Sequence, residues 1–159
     1  MREVSVQQAD FDIGAEIAAL STGDVAAGAV ASFVGLVRAD ELTAQELGAG
    51  DAAAVLSMTL EYYPGMTESA LEEIVAQAKA RWRLRRVRVI HRVGRLLPGE
   101  RIVFVGVSSA HRADAFAACE FIMDYLKTRA PFWKKEETPH GSRWVDARET
   151  DDAAAARWG

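Results

Sequence analysis

Repeatedly along this chain, one strand-like segment follows another with no helical segment between them. Arg86 to Val93 alternates apolar and basic residues, and after a turn at Leu97-Pro98-Gly99-Glu100 the apolar run Arg101 to Ser108 takes over. Gly28 to Arg38 is rich in Val and Phe, and Val55 to Tyr62 alternates. Between them lies only the polar, acidic stretch Ala39 to Ala53, read as a loop. Phe132 to Glu137 and Arg143 to Val145 form a last pair around a His140-Gly141 turn. Parallel neighbours need a long crossover, which such connections do not supply. A purely parallel sheet is excluded, and the class is α+β with a mostly antiparallel or mixed sheet.

The helical segments stand apart from these. Glu3 to Gln7 reads as a first strand, and Ile13, Ile17 and Leu20 then recur at helical spacing. After the Pro64-Gly65 turn, Thr67 reads as an N-cap. Ala70, Leu71, Ile74, Val75, Ala78 and Trp82 then form one apolar stripe over Glu68 to Trp82. A further helix follows Ser109, with Phe116, Cys119, Ile122, Met123 and Leu126 expected inward, and it stops ahead of Pro131. At 159 residues the chain fits one domain. Residues 1–150 are expected to form it, with 151–159 a loosely held, flexible tail.

Composition narrows the function. The single Cys119 makes no intrachain disulfide, and three widely spaced His with one Cys fit no zinc pattern, so no metal site is expected. No basic-then-apolar leader follows Met1, and no apolar run approaches the ~20 residues of a membrane helix. A cytoplasmic protein is the expectation. No phosphate-cradling GxxxxGKS, no GxGxxG and no GxSxG occurs. The formal net charge of -4 disfavours a general nucleic-acid binder, although eight Arg and a single acid, Glu100, lie between Arg81 and Arg101. On an exposed strand such arginines serve to keep the edge soluble.

Positive groups nevertheless gather at both ends of the helix after Ser109. His111 and Arg112 stand at its start, Lys127 and Arg129 at its close, and Lys134 and Lys135 follow Pro131. Unpaired N–H groups already make a helix start positive, so Arg112 there is unfavourable unless an anion is present. With an anion, the N–H groups, Arg112 and a protonated His111 act together. The other reading turns Arg112 to solvent and makes His111 a capping or core residue; spacing alone leaves both open. Cations in the last turn complement the helix dipole, which suffices to explain Lys127 and Arg129. Lys127 also falls near the edge of the apolar stripe. A partly buried lysine there, beside Arg129 and Lys134, would have a depressed pKa and serve as base or nucleophile. If the next segment is extended, Phe132, Lys134 and Glu136 share a face, and Lys135 is a solvated residue on the other. Arg38 ends an apolar strand, where sites often open.

The segments LEYYPGMTESAL, VIHRVGRLLPGE, IVFVGVSSAHRADAF, FIMDYLKTRAPFWKKE and RWVDAR closely resemble the large, catalytic subunit of molybdopterin synthase, the MoaE family. The resemblance runs from about Gly28 to Arg148. It implies an α/β hammerhead fold with a small additional β-subdomain, assembled as a homodimer. A small ubiquitin-like sulfur-carrier subunit is its implied partner, and the carrier's C-terminal Gly-Gly thiocarboxylate enters a pocket of the large subunit. The implied activity is a sulfurtransferase step: two sulfurs pass to cyclic pyranopterin monophosphate, giving the dithiolene of molybdopterin with no metal or other cofactor. Carried over by position, the essential lysines fall on Lys127 and Lys134. The substrate-recognising groups fall on Arg38, His111 and Arg112, and Phe33, Met123, Glu136 and Arg148 match positions near the pocket. The loop from Ala39 to Ala53 is longer and more acidic than the family pattern. Two other classes remain as alternatives: a non-catalytic module for a phosphorylated metabolite, and a nucleic-acid binder using the Arg81–Arg101 strand.

Overall fold

Alternation along two adjacent strands organises the molecule. The computed structural model describes residues 2–39, 41–42, 53–54, 57–139, 141–145, 149–156 and 158–159. Strands β6 (Leu84–Arg92) and β8 (Arg101–Ser109) pair antiparallel, with Val87 opposite Val107 and His91 opposite Val103. On their far sides lie β1 (Val4–Gln7), parallel to β6, and β2 (Ala29–Leu36), antiparallel to β8. The sheet order β1-β6-β8-β2 is thus mixed, as the short connections required. A second sheet, β10-β9-β5-β7, comprises β5 (Ser57–Tyr62), β7 (Gly94–Leu96), β9 (Phe132–Thr138) and β10 (Gly141–Val145). A two-residue pairing of β3 (Glu41–Leu42) with β4 (Ala53–Ala54) stands alone. The rest of the Ala39–Ala53 loop, with Val55, Leu56, His140 and Arg148, lies outside the described residues.

Side-chain period sorts the first sheet into two faces. Val87, Val89, Val103, Val105 and Val107 join the main core beneath helices α2 (Met66–Arg81) and α3 (Arg112–Arg129). Ile90 and Phe104 point the other way, where Phe11 and Leu20 cover them beside Ile13 and Ile17 of α1 (Ile13–Ala19). Gly106 belongs to that second row. A Cβ there would stand 2.5 Å from Leu20 Cδ1 and 2.8 Å from the Phe104 ring, so only glycine admits both.

Three local expectations are corrected. Thr67 does not cap α2; Gly65 does, at φ 84°, a left-handed conformation suited to glycine. The fully buried Thr67 hydroxyl instead donates to Pro131 O at 3.0 Å and accepts from the Tyr63 N–H at 3.1 Å. Phe116 does not face the core and is 66% exposed, because the buried stripe of α3 runs through Ala115, Ala118, Cys119 and Ile122. The two alanines let the helix approach the sheet closely, and that rotation carries residue 116 outward.

Nor is 151–159 a loose tail as far as it is described. It contributes to α4 (Glu149–Ala156), which lies against α3, and Ala155 is buried in the main core. The Trp158 ring meets Trp82 and Phe121 edge-on at 5.7 Å each, its indole N–H donates to Asp124, and its carbonyl accepts from Arg81. An aromatic surface of that size outweighs the local preference of an Ala-rich end to stay solvated. Trp158→Ala is expected to cost on the order of 2–4 kcal/mol, read as a lower urea midpoint. An unchanged midpoint would show that this contact carries no stability.

Candidate functional site

The chain reverses sharply where α3 hands over to β9. Ala130 is extended (φ -81°, ψ 129°), as a residue ahead of proline prefers, and Pro131 ends the helix. The Thr67 hydroxyl holds the Pro131 carbonyl, and the Phe132 N–H closes on Ala130 O at 3.0 Å. This bend places Lys127, in the last turn of α3, five residues before Phe132 and seven before Lys134. Lys134 is half-buried, opposite Leu60 of β5 and Val145 of β10. Phe132 packs with Val37, Leu60 and Ile102 in the second core cluster. Val37 brings Arg38 to the same end of the molecule: its backbone is tied to Glu100 O and Gly99 N, and Arg38 follows it, exposed.

Lys127 is exposed, so the partial burial expected of it is absent in the isolated chain. Glu136 is buried at 8% exposure, opposite Met58 and Arg143. Phe33 lies on β2, 42% exposed, and Met123 is a core residue on the buried face of α3. Lys135 sits 5.8 Å from the Trp144 ring on the outer face of β9, where Glu61, Tyr62, Tyr63 and Trp133 complete a shallow open cleft. The Arg129 guanidinium covers Tyr125 at 4.1 Å.

His111 and Arg112 lie elsewhere. His111 is the N-cap residue of α3, but its side chain makes no capping bond, and both residues are exposed. The capping and core readings of His111 are removed. An 18-residue helix is about 27 Å long, so some 22 Å of helix axis separates Arg112 from Lys127. The chain therefore gathers Arg38, Lys127 and Lys134 at one end and His111 with Arg112 at the other. One pocket around a single copy of the helix, as the residue order suggested, does not form within one chain.

Most of the arginines between 81 and 101 are consumed internally. Arg85 grips Asp24 through two bonds of 2.8 Å, and Arg101 grips Asp10 at 3.0 and 2.7 Å. Arg86 donates to the carbonyls of Ala19 and Thr22, Arg88 to Glu16 and Arg2 O, and Arg92 to Gln8 O and Arg101 O. Guanidinium groups already engaged in this way offer little to a nucleic-acid backbone.

One residue at the lysine end was not singled out from sequence. His91 continues the row of Val87 and Val89 on the face that α2 and α3 cover, and is 7% exposed. Its ring stacks on Phe132, centroids 4.0 Å apart and planes at 23°. Nδ1 lies 2.9 Å from Arg92 O, which can only accept, so Nδ1 carries the proton of the neutral ring. Burial, and secondarily the charge of Lys127, depress its pKa to about 4, against the opposing pull of the Arg92 carbonyl. The available signal was a histidine at buried parity near the end of an alternating strand. Below about pH 6.5 the unfolded chain takes up a proton that the folded ring refuses, so stability falls as pH drops toward about 4. The full loss is roughly 3 kcal/mol, and His91→Phe is expected to remove that slope from urea titrations. Equal acid slopes in both proteins would contradict the assignment.

Comparison with known proteins identifies relatives of the whole chain. The family model described as "MoaE protein" matches residues 6–129. A molybdopterin synthase catalytic subunit from Ralstonia nicotianae is 58% identical over the whole chain and 85% of its own length. The solved molybdopterin biosynthesis MoaE protein from Burkholderia ambifaria superposes with TM-score 0.79 at 56% identity, covering 100% of this chain and 99% of that one. A complex of subunits 1 and 2 of molybdopterin-converting factor from Helicobacter pylori shares the fold at TM-score 0.70 and 20% identity, over 91% of each chain.

Proposed function

Because the chain belongs to the MoaE family, we propose that it is the catalytic subunit of a molybdopterin synthase, a sulfurtransferase of molybdenum-cofactor biosynthesis. Its substrates on this reading are cyclic pyranopterin monophosphate and the C-terminal thiocarboxylate of a small ubiquitin-like carrier subunit. The product is the dithiolene of molybdopterin, formed in the cytoplasm. The observation that carries the reading is the Lys127–Lys134 end of the molecule. A helix terminus and a strand, joined by a braced proline bend, carry the two lysines at the end of the molecule where Arg38 follows β2. Both reactants are anions, so the chemistry needs fixed positive charge where they meet. Lys127 and Lys134 hold the thiocarboxylate, stabilise the charge that develops on attack and move protons as the carrier leaves. His111, Arg112 and Arg38 hold the phosphate and the pterin.

The separation along α3 makes a second copy part of this site. β2 is the edge of its sheet, and Val30, Phe33 and Leu36 on it are exposed. The Ala29 end of β2 adjoins Ser109 and the start of α3; the Leu36 end adjoins Arg101 and leads to Arg38. Two such edges related by a two-fold axis run antiparallel. The His111–Arg112 end of one copy then faces the Arg38 and lysine end of the other, which is the homodimer implied by the family. Phe33 lies on that edge, and Phe116, exposed on α3, adds apolar surface to the same copy.

Reconstitution with thiocarboxylated carrier and cyclic pyranopterin monophosphate tests the reading. Lys127→Ala and Lys134→Ala should each lower turnover by ~10²–10⁴-fold with the fold retained. Near-wild-type dithiolene formation by both variants ends the assignment. Arg112→Ala and Lys127→Ala chains, each inactive alone, should recover about half the wild-type rate per mixed dimer, since one of its two composite sites is then intact. No recovery would place both residues in a site built by one copy. A module that merely holds a phosphorylated metabolite would bind the pterin but transfer no sulfur.

A further inference from the structure

His91 is the one buried imidazole among the described residues, it lies at the lysine end, and the proposed chemistry leaves it unused. Three independent features fix it. Its strand position continues the Val87–Val89 row, which sets it under the face covered by α3 and at the Arg101 end of the sheet, where that helix stops. Its ring lies flat on Phe132, the first residue of β9 and two before Lys134 on the same strand face. Its Nδ1–H is committed to the Arg92 carbonyl at 2.9 Å, which leaves the Nε2 lone pair as the free acceptor of the ring.

A buried ring so held for packing alone would be better served by phenylalanine. Phenylalanine would keep the stack and bring no polar atoms to desolvate. We propose that His91 is a positioning residue for the lysine pair: its neutral ring offers Nε2 to the Lys127 ammonium and, through Phe132, fixes the strand that carries Lys134. The proposal rests on the reading of Lys127 and Lys134 as site residues. It adds a third member, from β6, that ties the end of α3 to the start of β9. The charged groups packed around the ring agree with a neutral acceptor. Lys127, at the end of α3, is a cation whose charge reaches the ring, while the guanidinium of Arg92 is turned away to Gln8 O, Arg101 O and Glu100. A protonated His91 would set a second positive charge against Lys127, so neutrality is what allows the lysine to approach.

Nitrogen-15 NMR of the imidazoles in the full-length protein tests this without any substrate. The expected spectrum shows His91 neutral at pH 7 with the proton on Nδ1, and Lys127→Ala should move its titration midpoint upward because a neighbouring cation is gone. A proton on Nε2, or a midpoint indifferent to Lys127→Ala, overturns the proposal. Kinetics supply the second arm. In the reconstituted reaction, His91→Phe should lower kcat on the order of 10²-fold with little change in KM, and His91→Gln, which restores an acceptor, should recover part of that loss. A folded His91→Phe protein with wild-type kcat also overturns it. If His91→Phe does not fold, the NMR comparison decides alone. If the wild-type protein forms no dithiolene, it is the functional reading that fails, and the NMR outcome still decides whether His91 and Lys127 are coupled.

Discussion

The rigidity of one helix governs how this molecule can work. α3 is one continuous helix from Arg112 to Arg129, and its length separates two sets of cations by more than any side chain can span. No rotamer change or loop movement within a single chain brings them together. The fold answers with an exposed apolar sheet edge whose two ends correspond to the two ends of the helix. On the proposed two-fold pairing, charge too far apart within one copy would become adjacent between two, so the helix that separates the cations also sets how a second copy would bring them together.

The bend at Ala130–Pro131 is the other fixed point. Proline stops the helix, but it does not set the direction of the strand that follows. That direction comes from below, through the Thr67 hydroxyl on the Pro131 carbonyl and the His91 ring on Phe132. Both are buried polar groups with partners, which makes the bend costly to deform. Of the two lysines, Lys127 stands exposed on the outside of this arrangement and Lys134 is half-buried on β9.

What was legible in the sequence follows from how local each cause is. Alternation in Arg86–Val93 and Arg101–Ser108 is a property of consecutive residues, and so the pairing of β6 with β8 could be read directly. The extended Phe132–Glu137 segment, and Phe132, Lys134 and Glu136 on one face of it, could be read likewise. The inward placement of Phe116 failed because helical spacing admits two stripes. Close packing of Ala115 and Ala118 on the sheet, a tertiary cause, selects the other one. Thr67 resembled a cap because only its neighbours in sequence were in view; its true partner, Pro131, lies 64 positions away. For the cationic residues, a linear reading carries no measure of the distance along α3. His91 was passed over because nothing local distinguishes a histidine that stacks on a distant phenylalanine from one that fills a strand.

Trp158 has a consequence for the life of the chain before it is complete. Its ring closes one side of the cluster formed by Trp82 and Phe121, and Ala155 seals the core beside it. A nascent polypeptide that has not yet been synthesised through residue 158 must carry those aromatic faces bare. Such intermediates are natural clients for a chaperone, and a ribosome that stalls within the closing helix would release a product prone to clumping rather than a slightly shortened enzyme.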